Sequence, residues 1–108
     1  MEKWVLVVYT NCTDPAKEAE FNSWYDNTHI PDILETPGIL SANRYLNNSP
    51  GEGTGKFVAI YEIETEDIET TMAALKDNIG KKTEQGRVSG LVQVVSSARY
   101  KQISSARR

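Results

Sequence analysis

The sequence predicts one α+β domain of order β-α-β-β-α-β, with two helices on one face of a four-stranded antiparallel sheet. Three observations predict it. Some segments are β-branched apolar runs or alternate with a period of two, while others repeat with a helical period. The breaks between them fall at proline, glycine and asparagine clusters. Finally, 108 residues with 39% hydrophobic and 25% charged side chains suffice for one modest core, not for two domains or a disordered chain. The domain is expected over residues 1–98, with 99–108 as a polar tail.

The first strand is predicted over residues 2–10. Trp4-Val5-Leu6-Val7-Val8-Tyr9 turns apolar side chains to both faces, as a central strand covered on both sides does. Asn11, Thr13, Asp14 and Pro15 end it. Asp14 is placed to cap a helix that opens at Pro15, where a missing amide costs nothing, and Glu18 and Glu20 suit its positive end. Phe21, Tyr25 and His29 are four apart and share one face, flanked by Trp24 and Thr28. Pro31 is expected to stop this helix, because it pushes Ile30 out of the helical region and removes a donor. One further turn then restarts at Pro31–Glu35 and closes at Pro37-Gly38.

Residues Ile39–Leu46 alternate, with Ile39, Ser41, Asn43 and Tyr45 against Leu40, Ala42, Arg44 and Leu46, which predicts a half-polar strand. Asn47–Lys56, rich in asparagine and glycine, predicts a flexible loop. Phe57–Ile63 is the third strand, antiparallel to the second. Ile68, Met72, Leu75 and Ile79 mark one stripe of a second helix, started by Thr65 or Asp67 and ended by Gly80. The polar stretch Lys81–Arg87 leads to a fourth strand expected over Val88–Ser96. Two helices cover only one sheet face, yet the first and fourth strands are apolar on both. The open face therefore calls for a second copy, packed sheet to sheet in a homodimer.

Several function classes are excluded. Twelve basic against fifteen acidic residues give a net charge of −3, and no basic stripe exists to neutralise phosphates, so no nucleic-acid partner is expected. No apolar run approaches the roughly 20 residues of a membrane span, and no signal peptide is recognisable, so the expected compartment is cytoplasmic. A lone Cys12 excludes an internal disulfide, and with His29 it is too small a set for zinc, so no metal or cofactor is expected. Gly51, Gly53 and Gly55 precede no capped helix and make no phosphate cradle.

The stretch Phe21-Asn22-Ser23-Trp24-Tyr25-Asp26-Asn27-Thr28-His29-Ile30-Pro31-Asp32, followed by Pro37-Gly38 and Arg44-Tyr45, resembles the EthD-like proteins of the dimeric α+β barrel (ferredoxin-like) superfamily. The resemblance covers nearly the whole chain. Its pattern is specific for the fold and only weakly for chemistry, since the superfamily holds polyketide cyclases, quinol-type monooxygenases, haem-degrading enzymes and muconolactone isomerases. The resemblance implies a homodimer and a cleft between the sheet and the first helix.

His29 is the sole histidine. At the expected helix end the dipole favours its protonated ring, and Asp26 or Asp32 is placed to hold one ring nitrogen and leave the other for acid–base work. The plainer role is to cap the turn. Tyr9, Tyr45 and Tyr61 fall on three strands and Tyr25 on the helix, suited to orient a phenolic or carbonyl group, while Trp24 or Phe21 stacks on its ring. Core packing is the plainer role for each. Asn11 and Arg44 suit an enolate or carboxylate oxygen. Arg44 and Tyr45 face opposite ways, so Tyr45 is assigned to the pocket and Arg44 to an ion pair with Glu62. The leading expectation is a cofactor-free cyclase, isomerase or dehydratase acting on a small aromatic or polyketide-like molecule. The alternatives are a cofactor-free quinol-type monooxygenase and a non-catalytic dimeric binding or accessory protein.

Overall fold

A computed structural model describes residues 1–108. Strands β1 (Glu2–Cys12), β2 (Ile39–Leu46), β3 (Phe57–Thr65) and β4 (Val92–Lys101) form one sheet in the order β2-β3-β1-β4. Every neighbouring pair is antiparallel. The helical segments α1 (Glu18–Trp24), α2 (Ile30–Ile33) and α3 (Ile68–Glu84) pack on one face, in the ferredoxin-like arrangement the sequence predicts. Because side chains alternate along a strand, Leu6 and Thr10 of β1 and Phe57, Ala59, Tyr61 and Ile63 of β3 turn toward the helices and are buried. Phe21, Tyr25 and Ile33 meet them from the first helical arm, and Ile68 and Leu75 from α3. The large apolar ones among them, Leu6, Phe21, Phe57, Ile63 and Leu75 for example, each contribute about 1.5–3 kcal/mol by leaving water.

The first arm does not stop at Pro31. A 3-10 turn at Pro15–Lys17, α1, a π-helical turn at Tyr25–His29 and α2 run end to end. Asp14 caps the arm by accepting from the Ala16 amide at 3.0 Å. In the π turn the Ile30 amide reaches back five residues to the Tyr25 carbonyl. The widened turn needs no donor from Pro31 and gives its ring room, so the proline is absorbed where an unbroken α-helix would kink. The second helix likewise continues past Gly80, which costs about 1 kcal/mol relative to alanine but breaks no hydrogen bond. Its stop is Gly86, in the left-handed region at φ +73°, whose amide donates to the Thr83 carbonyl at 3.0 Å.

Three further differences have local causes. A register shift between Ile39 and Ser41 breaks the alternation of β2, so Ile39 is buried beside Ile63 while Leu40 is exposed. The fourth strand begins at Val92 and runs to Lys101, later than the apolar pattern suggests, because Arg87 is tied to Asp32 and Ser89 accepts from the Leu91 and Val92 amides in a turn. The Asn47–Lys56 loop is fastened rather than free. Asn47 donates to the Gly55 carbonyl, Asn11 accepts from the Lys56 amide, and Ser96 of β4 donates to the Gly53 carbonyl. Gly55 is buried against β1.

The opposite face of the sheet carries no helix. Pairing places Tyr9, Val58 and Tyr45 in one row across it, and Val7 and Ile60 in the next. Tyr45 is 53% and Tyr100 58% exposed there.

A Cβ built on Gly55 would lie 2.5 Å from the Thr10 carbonyl oxygen, whereas one on Gly51 meets nothing within 4 Å. Gly55→Ala is therefore expected to lower stability by about 1–3 kcal/mol, and Gly51→Ala to leave it within about 0.5 kcal/mol, in urea denaturation.

Candidate functional site

The first helical arm brings its aromatic residues onto the sheet as one cluster. Phe21, fully buried, meets Tyr25 edge-on at 5.7 Å and Phe57 at 5.4 Å. His29 stacks on Trp24 at 4.6 Å and meets the Tyr25 ring edge at 4.9 Å. The Tyr25 and Tyr61 hydroxyls lie 3.3 Å apart in the interior, each the other's partner. Burial pushes both phenols up, Tyr61 far above its ordinary range, so both stay protonated at neutral pH.

Arg44 closes this cluster from β2. Its guanidinium lies 4.3 Å over the Tyr25 ring, 5.5 Å from Phe57 and 5.8 Å from Phe21. It donates to Asp26 Oδ1 at 3.0 Å and Asn22 Oδ1 at 2.8 Å, tying the arm to the sheet. The expected pairing with Glu62 does not form, because Glu62 is on the opposite sheet face, across from Val5 and Ser41.

The expected dipole effect on His29 is reversed. The helix does not end there, and burial lowers the imidazole pKa from 6.5 to about 4. The negative charge of Asp32 opposes that shift and the Arg44 cation adds to it. His29 is neutral at physiological pH. Both flanking carboxylates are engaged elsewhere: Asp26 by Arg44, and Asp32 by Arg87 through Nε at 2.7 Å and Nη2 at 2.9 Å. The Arg87 fork holds the Asp32 carboxyl below the usual carboxylate range. Trp24 Nε1 donates to the Arg87 carbonyl at 2.8 Å, and Asn78 donates to the Asp32 carbonyl and to Thr36.

The structure thus gathers His29, Phe21, Trp24, Tyr25, Tyr61, Asp26 and Asp32 on the helix side. Tyr9 and Tyr45 lie on the open face, beyond the sheet from His29, and Asn11 holds the Asn47–Lys56 loop. The space between sheet and first arm, where the resemblance implies a cleft, is filled by Phe21, Tyr25, Phe57 and Tyr61. A crevice beside His29, lined by Asp32, Ile33, Asn78, Ile79, Lys82 and Val88, is too narrow for water. A roomier cleft of about 430 Å³ opens elsewhere, among Trp4, Val5, Leu40, Glu62 and Tyr100. Sequence reasoning missed Arg87, whose only signal was a basic side chain in a polar linker.

A family profile described as a domain of unknown function (DUF4286) matches residues 5–86. No curated protein matches the chain. Among solved structures, the chain is similar to a dimeric ferredoxin-like protein from an uncultured marine organism, with TM-score 0.68, 15% identity, and 98% of this chain and 100% of that one covered. It is similar to SnoaB, a cofactor-independent oxygenase from Streptomyces nogalater, with TM-score 0.65, 13% identity, and coverage of 100% and 96%. An EthD family protein from Bacillus halodurans matches with TM-score 0.52 and 18% identity, over 91% of this chain and 97% of that one. Other proteins of this shape carry monooxygenase in their names. At these identities the shared property is the fold, which the EthD-like resemblance had implied.

The lowered His29 pKa sets a pH dependence. Below pH 6.5 the unfolded chain takes up a proton that the folded protein refuses until about pH 4, so stability falls as pH drops through that window. Urea denaturation at pH 7 and pH 4.5 is expected to show about 2–3 kcal/mol more loss in the parent than in His29→Gln.

Proposed function

The chain belongs to the DUF4286 family, a domain of unknown function, and we propose that it is a small cofactor-independent oxygenase of phenolic or quinol-type aromatic molecules, acting as a homodimer. The observation that carries this reading is His29: neutral, free of hydrogen bonds, and set between Trp24 and Tyr25. The whole-chain likeness to an oxygenase that is itself cofactor-independent supports it. This reading displaces the cyclase, isomerase or dehydratase expectation, which no similar protein's name favours. Kinship with EthD-like proteins is proposed only at the level of the superfamily.

In the proposed reaction a phenol and O₂ give a quinone and water. His29 takes the phenolic proton, and the electron-rich ring carbon bonds to O₂ to give a peroxide. The O–O bond then breaks. One oxygen stays as the new carbonyl, and the other leaves as water with the two hydrogens that came from the phenol and the ring carbon. All electrons come from the substrate. Trp24, stacked on His29, holds the imidazole in place, and Tyr25 and Tyr61, held protonated by burial, stay intact as wall rather than as bases.

The homodimer is proposed through the open sheet face. Val5, Val7, Val58 and Ile60 make its centre apolar, and the similar marine protein is described as dimeric. Ile60→Lys places a charge there away from His29, and is expected to convert a dimer to a monomer in sedimentation at micromolar concentration. A monomeric parent would remove this part of the reading.

A second reading, a non-catalytic binding protein, is favoured by the cleft of about 430 Å³ that opens away from His29, among Trp4, Val5, Leu40, Glu62 and Tyr100. Oxygen uptake separates the two. A thermal-shift screen with hydroquinones and naphthols finds compounds that bind, and an oxygen electrode follows each. The expected result is one O₂ consumed per quinone formed, reduced about 100-fold or more in His29→Ala with binding retained. Binding without oxygen uptake from any compound would assign the protein to the second reading.

A further inference from the structure

We propose, resting on the reading of His29 as the reactive group, that residues 85–91 are a latch over His29, and that Arg87 and His29 are alternative partners for the Asp32 carboxylate. The segment leaves α3 at Gly86, in the left-handed region, and joins β4 at Val92. Between these ends Arg87 fastens it to the first arm twice, while Thr13, just ahead of that arm, holds its far end through the Leu91 and Gly90 carbonyls. The Arg87 guanidinium grips Asp32, and the Arg87 carbonyl accepts from Trp24 Nε1. Val88, the next residue, closes the crevice that His29 shares with Asp32, Ile79 and Lys82. With the segment down, no ligand reaches the ring from this side.

The fastening is asymmetric. The Arg87 side chain is 44% exposed, whereas that of Asp32 is 7% exposed. A half-exposed guanidinium regains water when it lets go, and the carboxylate it covered loses two charge-assisted donors at once. Asn78 does not replace them, since it is committed to the Asp32 carbonyl and Thr36. Lys82 lies on the same crevice but pairs with Glu35 at 3.2 Å. Arg44 faces the cluster from the other side and is held by Asp26 and Asn22. That leaves His29, whose protonated form the Asp32 charge already favours, as the group the freed carboxylate can engage. Opening the latch then does two things: it bares the ring edge beside Trp24 for a flat aromatic molecule, and it gives the imidazole the carboxylate that orients it and makes it a stronger base.

As the only histidine, His29 gives a clean readout, its carbethoxylation by diethyl pyrocarbonate followed by mass. Arg87→Met keeps the apolar stem and removes the grip. It is expected to speed modification of His29 about tenfold or more, and to raise the imidazole pKa read by NMR titration, with β1 amide protection unchanged. An unchanged modification rate in a variant that keeps its β1 protection overturns the latch. Should Arg87→Met fail to fold, hydrogen exchange on the parent decides. Exchange of the Trp24 indole N–H, whose acceptor is the Arg87 carbonyl, well ahead of the β1 amides supports the latch, and equal protection overturns it. These readouts report access to His29 rather than turnover, so the latch and the oxygenase reading stand or fall separately.

Discussion

The structure turns on one missing donor, the amide that Pro31 lacks. In an unbroken α-helix the position seven residues after the buried Tyr25 is Asp32, and that register would aim a carboxylate into the core. The π turn at Tyr25–His29 inserts one residue, so the inward position becomes Ile33, which is buried in the hydrophobic cluster. Asp32 moves to the flank, where Arg87 reaches it. His29 moves too, off the core stripe that Phe21 and Tyr25 occupy and onto the Trp24 face. A single widened turn therefore sets the core of the arm, the partner of Asp32 and the position of the histidine. Single π turns of this kind are frequent at functional sites because they re-aim side chains without ending a helix.

Arg44 balances that irregular arm. A guanidinium over an aromatic face, with two side-chain acceptors, holds a helix whose own hydrogen-bond ladder is interrupted. Burial keeps the imidazole neutral, and the same cation that secures the arm adds to that depression of the His29 pKa. Packing and proton affinity are coupled here through one side chain.

Fold class, element order and the open sheet face were legible because each rests on periodicity, which a sequence displays directly. Errors fell where one residue changes register. Pro31 reads as a helix stop, since its clash with an α-helix is local while the π turn that relieves it depends on packing by Phe21 and Tyr25. The shift after Ile39 is invisible for the same reason: a bulge leaves the alternation plausible while exchanging its faces. At the candidate site, the aromatic members and His29 were legible as a helical stripe. The partners of Asp26 and Asp32 were not, because Arg44 and Arg87 lie 18 and 55 residues away in sequence and no local pattern links them.

The sheet order has a consequence for synthesis. Within this sheet the central strand β1 is made before its neighbours, but one of its two edges is covered only by β4, the last of the four. On a ribosome the hairpin of β2 and β3 can settle against β1 while that second edge still offers a row of bare amides and carbonyls. A chain interrupted before Leu91 would keep that edge permanently, with the half-buried Leu91 and Val92 anchors missing from the core's margin. Such a fragment has every requirement for pairing with its own kind, so for this topology a nonsense change ahead of β4 is an aggregation lesion rather than a trimmed tail.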